Sequence, residues 1–331
     1  MPLVDLHGRK HDYLRVSVTD RCNLRCVYCM GPAGIEQIPH SEILTYEEIM
    51  QVISAGVELG ITKVRITGGE PLIRNELIEL IRQIASLPGI ADLAMTTNGI
   101  LLPTYAAELR QAGLKRVNIS LDSLNPAVYR DITRGGNLQQ ALDGIDAALQ
   151  ADLGPVKLNT VLMKDINHTE VLDFLKLTLE KPLHVRFIEY MPIGDMNCNH
   201  RGSYLPLSFV KEAAHEAGMV FTATPLAGGA GPAETFILTG GKGTVGMIHP
   251  ISRHFCGSCN RLRLTAEGCL KTCLYWQDEQ SVRPALGNPD ALRELLKNTL
   301  LKKPVEHQMS VDGGFGTITP ELMRTMSKIG G

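Results

Sequence analysis

Aromatic residues are scarce: Phe, Trp and Tyr make up 5% of the 331 residues, and there is one tryptophan. A surface that stacks nucleic-acid bases needs aromatic platforms, so this scarcity argues against a nucleic-acid partner. An excess of either charge is also lacking. The 33 Lys and Arg nearly cancel the 35 Asp and Glu, leaving a net charge of −2. Such a balance supplies no overall pull toward DNA or an anionic membrane, although it leaves room for a local basic pocket. No apolar run reaches the roughly 18 residues that a membrane-spanning helix needs. The opening Met1-Pro2-Leu3-Val4-Asp5 lacks the basic and then apolar pattern of a secretory leader. The expectation is a cytoplasmic protein with no membrane partner. Its 44% apolar content is enough for one large domain, or one large and one small.

Cysteine, by contrast, is plentiful. Eight cysteines stand at positions 22, 26, 29, 198, 256, 259, 269 and 273. In a reducing compartment they read as ligands or reactive thiols rather than as disulfides. Seven of the eight fall into two clusters, one near each end of the chain.

Between the clusters, apolar β-branched runs alternate with amphipathic stretches. Strands are predicted at 14–18, 64–67, 93–97, 117–121, 156–162 and 184–189. Helices are predicted at 45–59, 76–86, 104–111, 138–150 and 169–179, the first opened by a capping box of Thr45 and Glu48. Six βα units imply a parallel sheet with right-handed crossovers, curled into a partial (βα)6 barrel of the TIM type. Chemistry in such folds gathers at the C-terminal ends of the strands. The first cysteine loop, Gly68-Gly69-Glu70, Thr97-Asn98-Gly99 and Met191-Pro192 all fall there. After about residue 195 the pattern changes to hairpin-like strands at 235–238, 243–248 and 262–264, and a helix at 290–300. Two domains are expected, 1–195 and 196–331. Gly240-Gly241-Lys242-Gly243-Thr244 lacks full phosphate-loop spacing and reads as a hairpin turn.

Cys22, Cys26 and Cys29 have the spacing Cys-x3-Cys-x2-Cys on one short loop. Three thiolates so placed can ligate three irons of a [4Fe–4S] cluster, leaving the fourth iron open to an exogenous chelate. Zinc prefers four ligands, and no fourth Cys or His stands at a fitting spacing. Tyr28, just before the last cysteine, can cover the cluster from solvent. This motif after a first strand, with Gly68-Gly69-Glu70-Pro71 after the second, resembles the radical SAM superfamily. The resemblance implies that S-adenosylmethionine (SAM) chelates the open iron and is cleaved to a 5′-deoxyadenosyl radical. It implies SAM contacts from Tyr28, Gly69, Ser120 and Met191. Gly69 is expected to let the backbone approach the methionyl amino group, where a side chain would collide.

In the second cluster, spacing alone suggests four zinc ligands: Cys256, Cys259, Cys269 and Cys273. The run Cys256-Gly-Ser-Cys259-Asn-Arg261-Leu-Arg263, followed by Gly268 and Cys273, resembles the GTP 3′,8-cyclase family of molybdenum-cofactor biosynthesis. That resemblance covers essentially the whole chain, including the terminal Gly330-Gly331. It implies that Cys256, Cys259 and Cys273 hold a second [4Fe–4S] cluster with an open iron facing the substrate purine, and that Cys269 and Cys198 are not ligands.

Cations punctuate the strands: Arg15, Lys63, Arg65, Lys157, Arg186, Arg261 and Arg263. Strands of a helix-covered parallel sheet are normally apolar on both faces, so Arg15, Arg65, Lys157 and Arg186 must face a solvated interior. A triphosphate is the kind of ligand such groups suit. The resemblance assigns Arg15, Arg65, Thr96, Lys157, Arg261 and Arg263 to GTP. It implies a lyase that converts GTP to (8S)-3′,8-cyclo-7,8-dihydroguanosine 5′-triphosphate. The radical would remove the 3′ hydrogen, the sugar carbon would attack C8, and reduction and protonation would close the reaction. Cys22, Cys26, Cys29, Arg261 and Arg263 are the expected catalytic set. The resemblance also implies a homodimer, a low-potential donor such as flavodoxin or ferredoxin, and a downstream cyclic pyranopterin synthase. Two other readings stay open: a radical SAM enzyme with an auxiliary cluster acting on a peptide, and an iron–sulfur or zinc module without catalysis.

Overall fold

The computed structural model describes residues 2–191, 193, 203–224, 231–310 and 324–330; Cys198 and Gly331 lie outside them. Six parallel strands run in chain order: β1 (Tyr13–Ser17), β2 (Lys63–Thr67), β3 (Asp92–Thr97), β4 (Arg116–Ser120), β5 (Lys157–Leu162) and β6 (His184–Glu189). Between them lie α1 (Tyr46–Glu58), α2 (Leu77–Ser86), α3 (Leu102–Gln111), α4 (Pro126–Thr133), α5 (Leu138–Gln150) and α6 (Val171–Glu180). Each strand alternates. Leu14, Val16, Val64, Ile66, Leu93, Met95, Val117, Ile119, Leu158, Val185 and Phe187 join the helices in one apolar core. Most intervening positions are polar, with Ala94, Val161 and Ile188 the exceptions, as expected where a sheet curls around a wet interior. Thr45 and Glu48 close the predicted capping box at α1.

The segment after β6 does not fold apart from this sheet. It contributes α7 (Ser208–Glu216), β7 (Phe221–Ala223), β8 (Glu234–Leu238), β9 (Thr244–Ile248), β10 (Arg261–Leu264), β11 (Cys269–Lys271), β12 (Glu279–Ser281), α8 (Pro289–Leu301) and α9 (Met326–Ile329). The expected hairpin of 235–238 with 243–248 is present as antiparallel β8 and β9, with Gly240-Gly241 in its turn. Two pairings were not legible in the sequence: β9 joins β6 in parallel, and β10 joins β1 in parallel. The C-terminal strands therefore extend both edges of the partial barrel within one sheet ordered β12-β11-β10-β1-β2-β3-β4-β5-β6-β9-β8-β7.

This topology separates the two cysteine triads. The first cysteine loop follows β1 and sits at the C-terminal end of the barrel strands, as predicted. Cys256 and Cys259 precede β10, which runs parallel to β1, and Cys273 follows the antiparallel β11. The second triad therefore sits at the opposite, N-terminal end, and the strand cations lie between the two.

Candidate active site

The first cysteine loop is strapped to α4, a helix the sequence reading passed over. Arg25 and Val27 donate backbone N–H bonds to the Thr133 and Ile132 carbonyls, and the Arg134 guanidinium bonds the Met30 carbonyl at 2.6 Å. The Arg25 side chain closes back on the Cys22 carbonyl at 2.6 Å. All three thiols are half-buried. Burial pushes Cys22 up; burial, Asp122 and the two neighbouring thiols push Cys26 well up; burial and Cys22 take Cys29 up to about 12. Three thiolates cannot share this pocket without a compensating cation, and a cluster's irons supply that charge. The donor set and its electrostatics fit a [4Fe–4S] cluster.

Tyr28 is half-buried and donates a 2.6 Å hydrogen bond to Asp122, whose other oxygen accepts from the Val161 amide. Burial raises the Asp122 carboxyl to about 6, against those bonds. Gly69 is required by the packing of the chain itself. A Cβ there would stand 2.1 Å from the Arg21 carbonyl oxygen, so the collision is with the chain itself. Gly69 N–H bonds Thr19 O at 2.7 Å and Glu70 N–H bonds Arg21 O at 2.8 Å, locking this turn onto the cysteine loop. Glu70, also missed, is buried and accepts from Leu72 N, Thr97 Oγ1 and Asn98 N; burial raises it to about 7 against those bonds. Ser120 ends β4 half-buried, and Met191 packs with Ile193, Tyr275 and Cys273.

Inside the barrel, register aligns Arg15 with Arg65 on one side and Arg263 on the other, and Tyr13 with Arg261. On the far wall Lys157 neighbours Asn118, and Arg186 neighbours Asn159 and Gly246. Gly246 makes room: a Cβ there would meet Arg186 Cγ at 3.0 Å. Lys63 is paired with Asp12, and Arg116 with Asp92. Among the described residues no carboxylate pairs with Arg65, Lys157 or Arg186. Burial, then Arg186, Arg116 and Arg65, pull Lys157 down to about 7; burial, then Arg65 and Arg116, pull Arg186 to about 9. Burial and Arg261 bring Arg263 to about 10. Burial alone would push the Tyr13 phenol up, yet the surrounding arginines pull it down. Tyr13 OH, Arg65 Nε, Thr96 Oγ1, Asn118 Nδ2 and Asn159 Oδ1 are buried without a hydrogen-bond partner. A lumen of crowded cations and unmet polar atoms is built for a polyanionic, hydrogen-bonding ligand.

At the second triad, burial would raise Cys259, but Arg261 and Lys303 outweigh it and bring the thiol to about 6. Cys256 is raised by burial and senses both Cys259 and Cys273. Cys269 engages Thr265, Glu279 and Lys271 instead. His254 and His307 approach Cys256 closely enough for a metal. However, His307 Nε2 is 2.6 Å from the Pro250 carbonyl and its Nδ1 accepts from the Met309 amide, so neither ring nitrogen is spare.

The chain's end enters the barrel. Ser327 hydrogen-bonds the Cys29 thiol, and Arg263 Nη1 donates to the Gly330 carbonyl at 2.9 Å. Gly330 has φ +73°, and a Cβ would lie 2.7 Å from Thr67 Cγ2, so both its conformation and its clearance require glycine.

Known proteins match this arrangement. The Radical SAM superfamily model covers residues 16–178, and the Molybdenum Cofactor Synthesis C model covers 183–309. A GTP 3′,8-cyclase of Listeria monocytogenes serovar 1/2a is 48% identical over 335 residues, spanning 99% of each chain. The one from Petrotoga mobilis is 49% identical over 332 residues, spanning 99% of this chain and 100% of that protein. The chain belongs to the GTP 3′,8-cyclase family of radical SAM enzymes. The family's cofactors are those expected from the sequence, two [4Fe–4S] clusters and SAM. Streptococcus suis SuiB shares the fold, with a TM-score of 0.61 over 97% of this chain and 78% of that one, at 13% identity.

Proposed function

We propose that this chain converts GTP to (8S)-3′,8-cyclo-7,8-dihydroguanosine 5′-triphosphate. Two cysteine triads at opposite ends of one barrel, with Arg65, Lys157 and Arg186 between them and no carboxylate of the described residues paired with these three cations, support this reading most strongly. Cys22, Cys26 and Cys29 would hold one cluster and Cys256, Cys259 and Cys273 the other. With SAM, the first cluster supplies a carbon radical able to take a hydrogen atom from an unactivated C–H bond. Tyr28 and the Gly69 turn line the SAM side, with Ser120 and Met191. Arg15, Arg65, Lys157, Arg261 and Arg263 hold the triphosphate and purine, Thr96 adds a hydroxyl, and Arg186 joins Lys157 on the far wall. The chain's own work is to align the sugar with the radical and keep the interior closed to bulk water. A peptide substrate would leave those cations without a role.

The change of sequence pattern after Pro192 supports a division at 195/196, and the family resemblance supports a homodimer, a cytoplasmic setting, a flavodoxin- or ferredoxin-type donor and a cyclic pyranopterin synthase as recipient of the product. No helix among the described residues is long and apolar enough to cross a membrane. Anaerobically reconstituted, reduced protein given SAM and GTP should form 5′-deoxyadenosine and the cyclised nucleotide, both read by mass spectrometry. 5′-Deoxyadenosine with unchanged GTP would overturn the substrate.

A further inference from the structure

Lys303 has no place in the reading above, yet it is 4% exposed and its ammonium points at the second triad. Lys303 Nζ lies 3.5 Å from Cys259 Sγ and donates to the Arg261 carbonyl at 2.8 Å. Among the described residues no carboxylate pairs with it. The charged groups around it are Arg261, Cys259 and Cys273, with His11 nearby. A buried lysine without an acidic partner is costly unless an anion faces it. Here the anion is the thiolate.

The position is also braced from outside. Arg9 donates to the Pro304 carbonyl at 2.7 Å, to Val305 O at 2.7 Å and to Cys256 O at 2.9 Å. Asp5 holds Arg9 by a buried ion pair. The chain's first residues thus clamp the 303–305 turn and the Cys256 backbone to one another. The His307 amide bonds the Cys256 thiol. The ammonium-to-sulfur contact is therefore fixed by structure on both sides.

Hydrogen bonds and positive charge at cluster sulfurs favour the reduced, more negative state. We propose that Lys303 is a positioning residue of the second cluster: its ammonium donates an N–H···S bond to Cys259 and makes that cluster easier to reduce. The proposal rests on the reading that Cys256, Cys259 and Cys273 hold a cluster.

The test is a redox titration of the full-length holoprotein followed by EPR, with iron counted per chain. The second cluster's signal is identified as the one lost in Cys273→Ala. In Lys303→Met the reduced-to-oxidised ratio of that signal at a fixed poise is expected to fall about tenfold, equivalent to about 59 mV for a one-electron couple. Lys303→Arg should restore the wild-type midpoint, and the first cluster's midpoint should not move. If Lys303→Met fails to retain iron, Lys303→Gln, which keeps N–H donors without charge, should titrate at a lower midpoint than wild type. Equal midpoints in fully loaded wild type, Lys303→Met and Lys303→Gln would overturn the proposal. Wild-type protein carrying one cluster only would overturn the two-cluster reading itself, and the role of Lys303 with it.

Discussion

The two triads present the same three thiolates in opposite electrical settings. Cys22, Cys26 and Cys29 sit on one short loop; Cys22 raises the other two, Glu70 raises Cys22, and the carboxyl of Asp122 raises Cys26 and Cys29. Cys259 has Arg261 and Lys303 against it and is drawn down to about 6. The first pocket resists additional negative charge; the second is cushioned for it. A cluster that must give an electron to SAM gains from the first setting, because a reduced state that is disfavoured is a strong donor. A cluster holding an electron-rich purine beside triphosphate cations, as proposed above, would gain from the second. The chain builds them differently too: the first is local in sequence, while the second needs β10, β11 and the 303–307 turn to meet.

The largest expected break in this comparison comes from removing one ligand at each end. Cys26→Ala should abolish 5′-deoxyadenosine formation altogether. Cys273→Ala should leave SAM cleavage detectable while the cyclised nucleotide disappears. If both variants lose SAM cleavage equally, the two triads are not separable in role. Next in size is the lumen. Arg263→Ala removes a charge-assisted contact worth roughly 1.5–3 kcal/mol, so GTP binding should weaken by roughly 10–100-fold. The same change frees Gly330, so its effect should exceed that of Arg65→Ala, which leaves the tail bond intact. Equilibrium binding of GTP to the two variants measures the gap.

Much of this was legible in the sequence because it is periodic or contiguous. The six strands announce themselves by alternation, and the capping box at Thr45 by two residues three apart. The first triad needs only one loop. What was not legible depends on strands meeting across the chain. Nothing local says that Arg263 pairs with Arg15, since β10 is 248 positions downstream in register with β1. The clash at Gly69 was hidden for the same reason: its neighbour is Arg21, brought there by folding. Asp122 and Lys303 are single polar residues without a motif, and only burial singles them out; Glu70 stands in the Gly-Gly-Glu-Pro run, but its buried bonds to Thr97 and Asn98 form only on folding.

Lys157 offers a smaller effect with a definite sign. Its ammonium is pulled from 10.5 to about 7 by burial and by Arg186, Arg116 and Arg65. A cation so depressed is disfavoured in the folded, ligand-free protein, so this group's contribution to stability rises as pH climbs from about 7 toward 10.5. A bound triphosphate reverses the preference and recharges the lysine. GTP binding at about pH 8 should therefore take up a proton, and at about pH 6 the lysine contributes nothing further. Calorimetry in two buffers of different ionisation enthalpy reads that proton directly. Lys157→Met should abolish the uptake, and an uptake unchanged by the substitution would place the proton on another group.

The smallest effect is expected at Cys269, and it sharpens the comparison most finely. Cys269 lies four residues from Cys273, and spacing alone cannot choose between them as ligands. In the fold β11 brings Cys269 to Thr265 and Glu279, while Cys273 emerges beyond the strand toward Cys256, which favours Cys273. Cys269→Ser keeps a small polar group in a half-buried strand position and should change stability by no more than about 1 kcal/mol. Iron content and the EPR of both clusters should match the wild type. Cys273→Ser should lose about half the iron, since each triad would hold one of two equal clusters. If Cys269→Ser instead loses the second cluster's iron, the ligand set is wrong, and the positive cushion at Cys259 would have to be reassigned to a different metal.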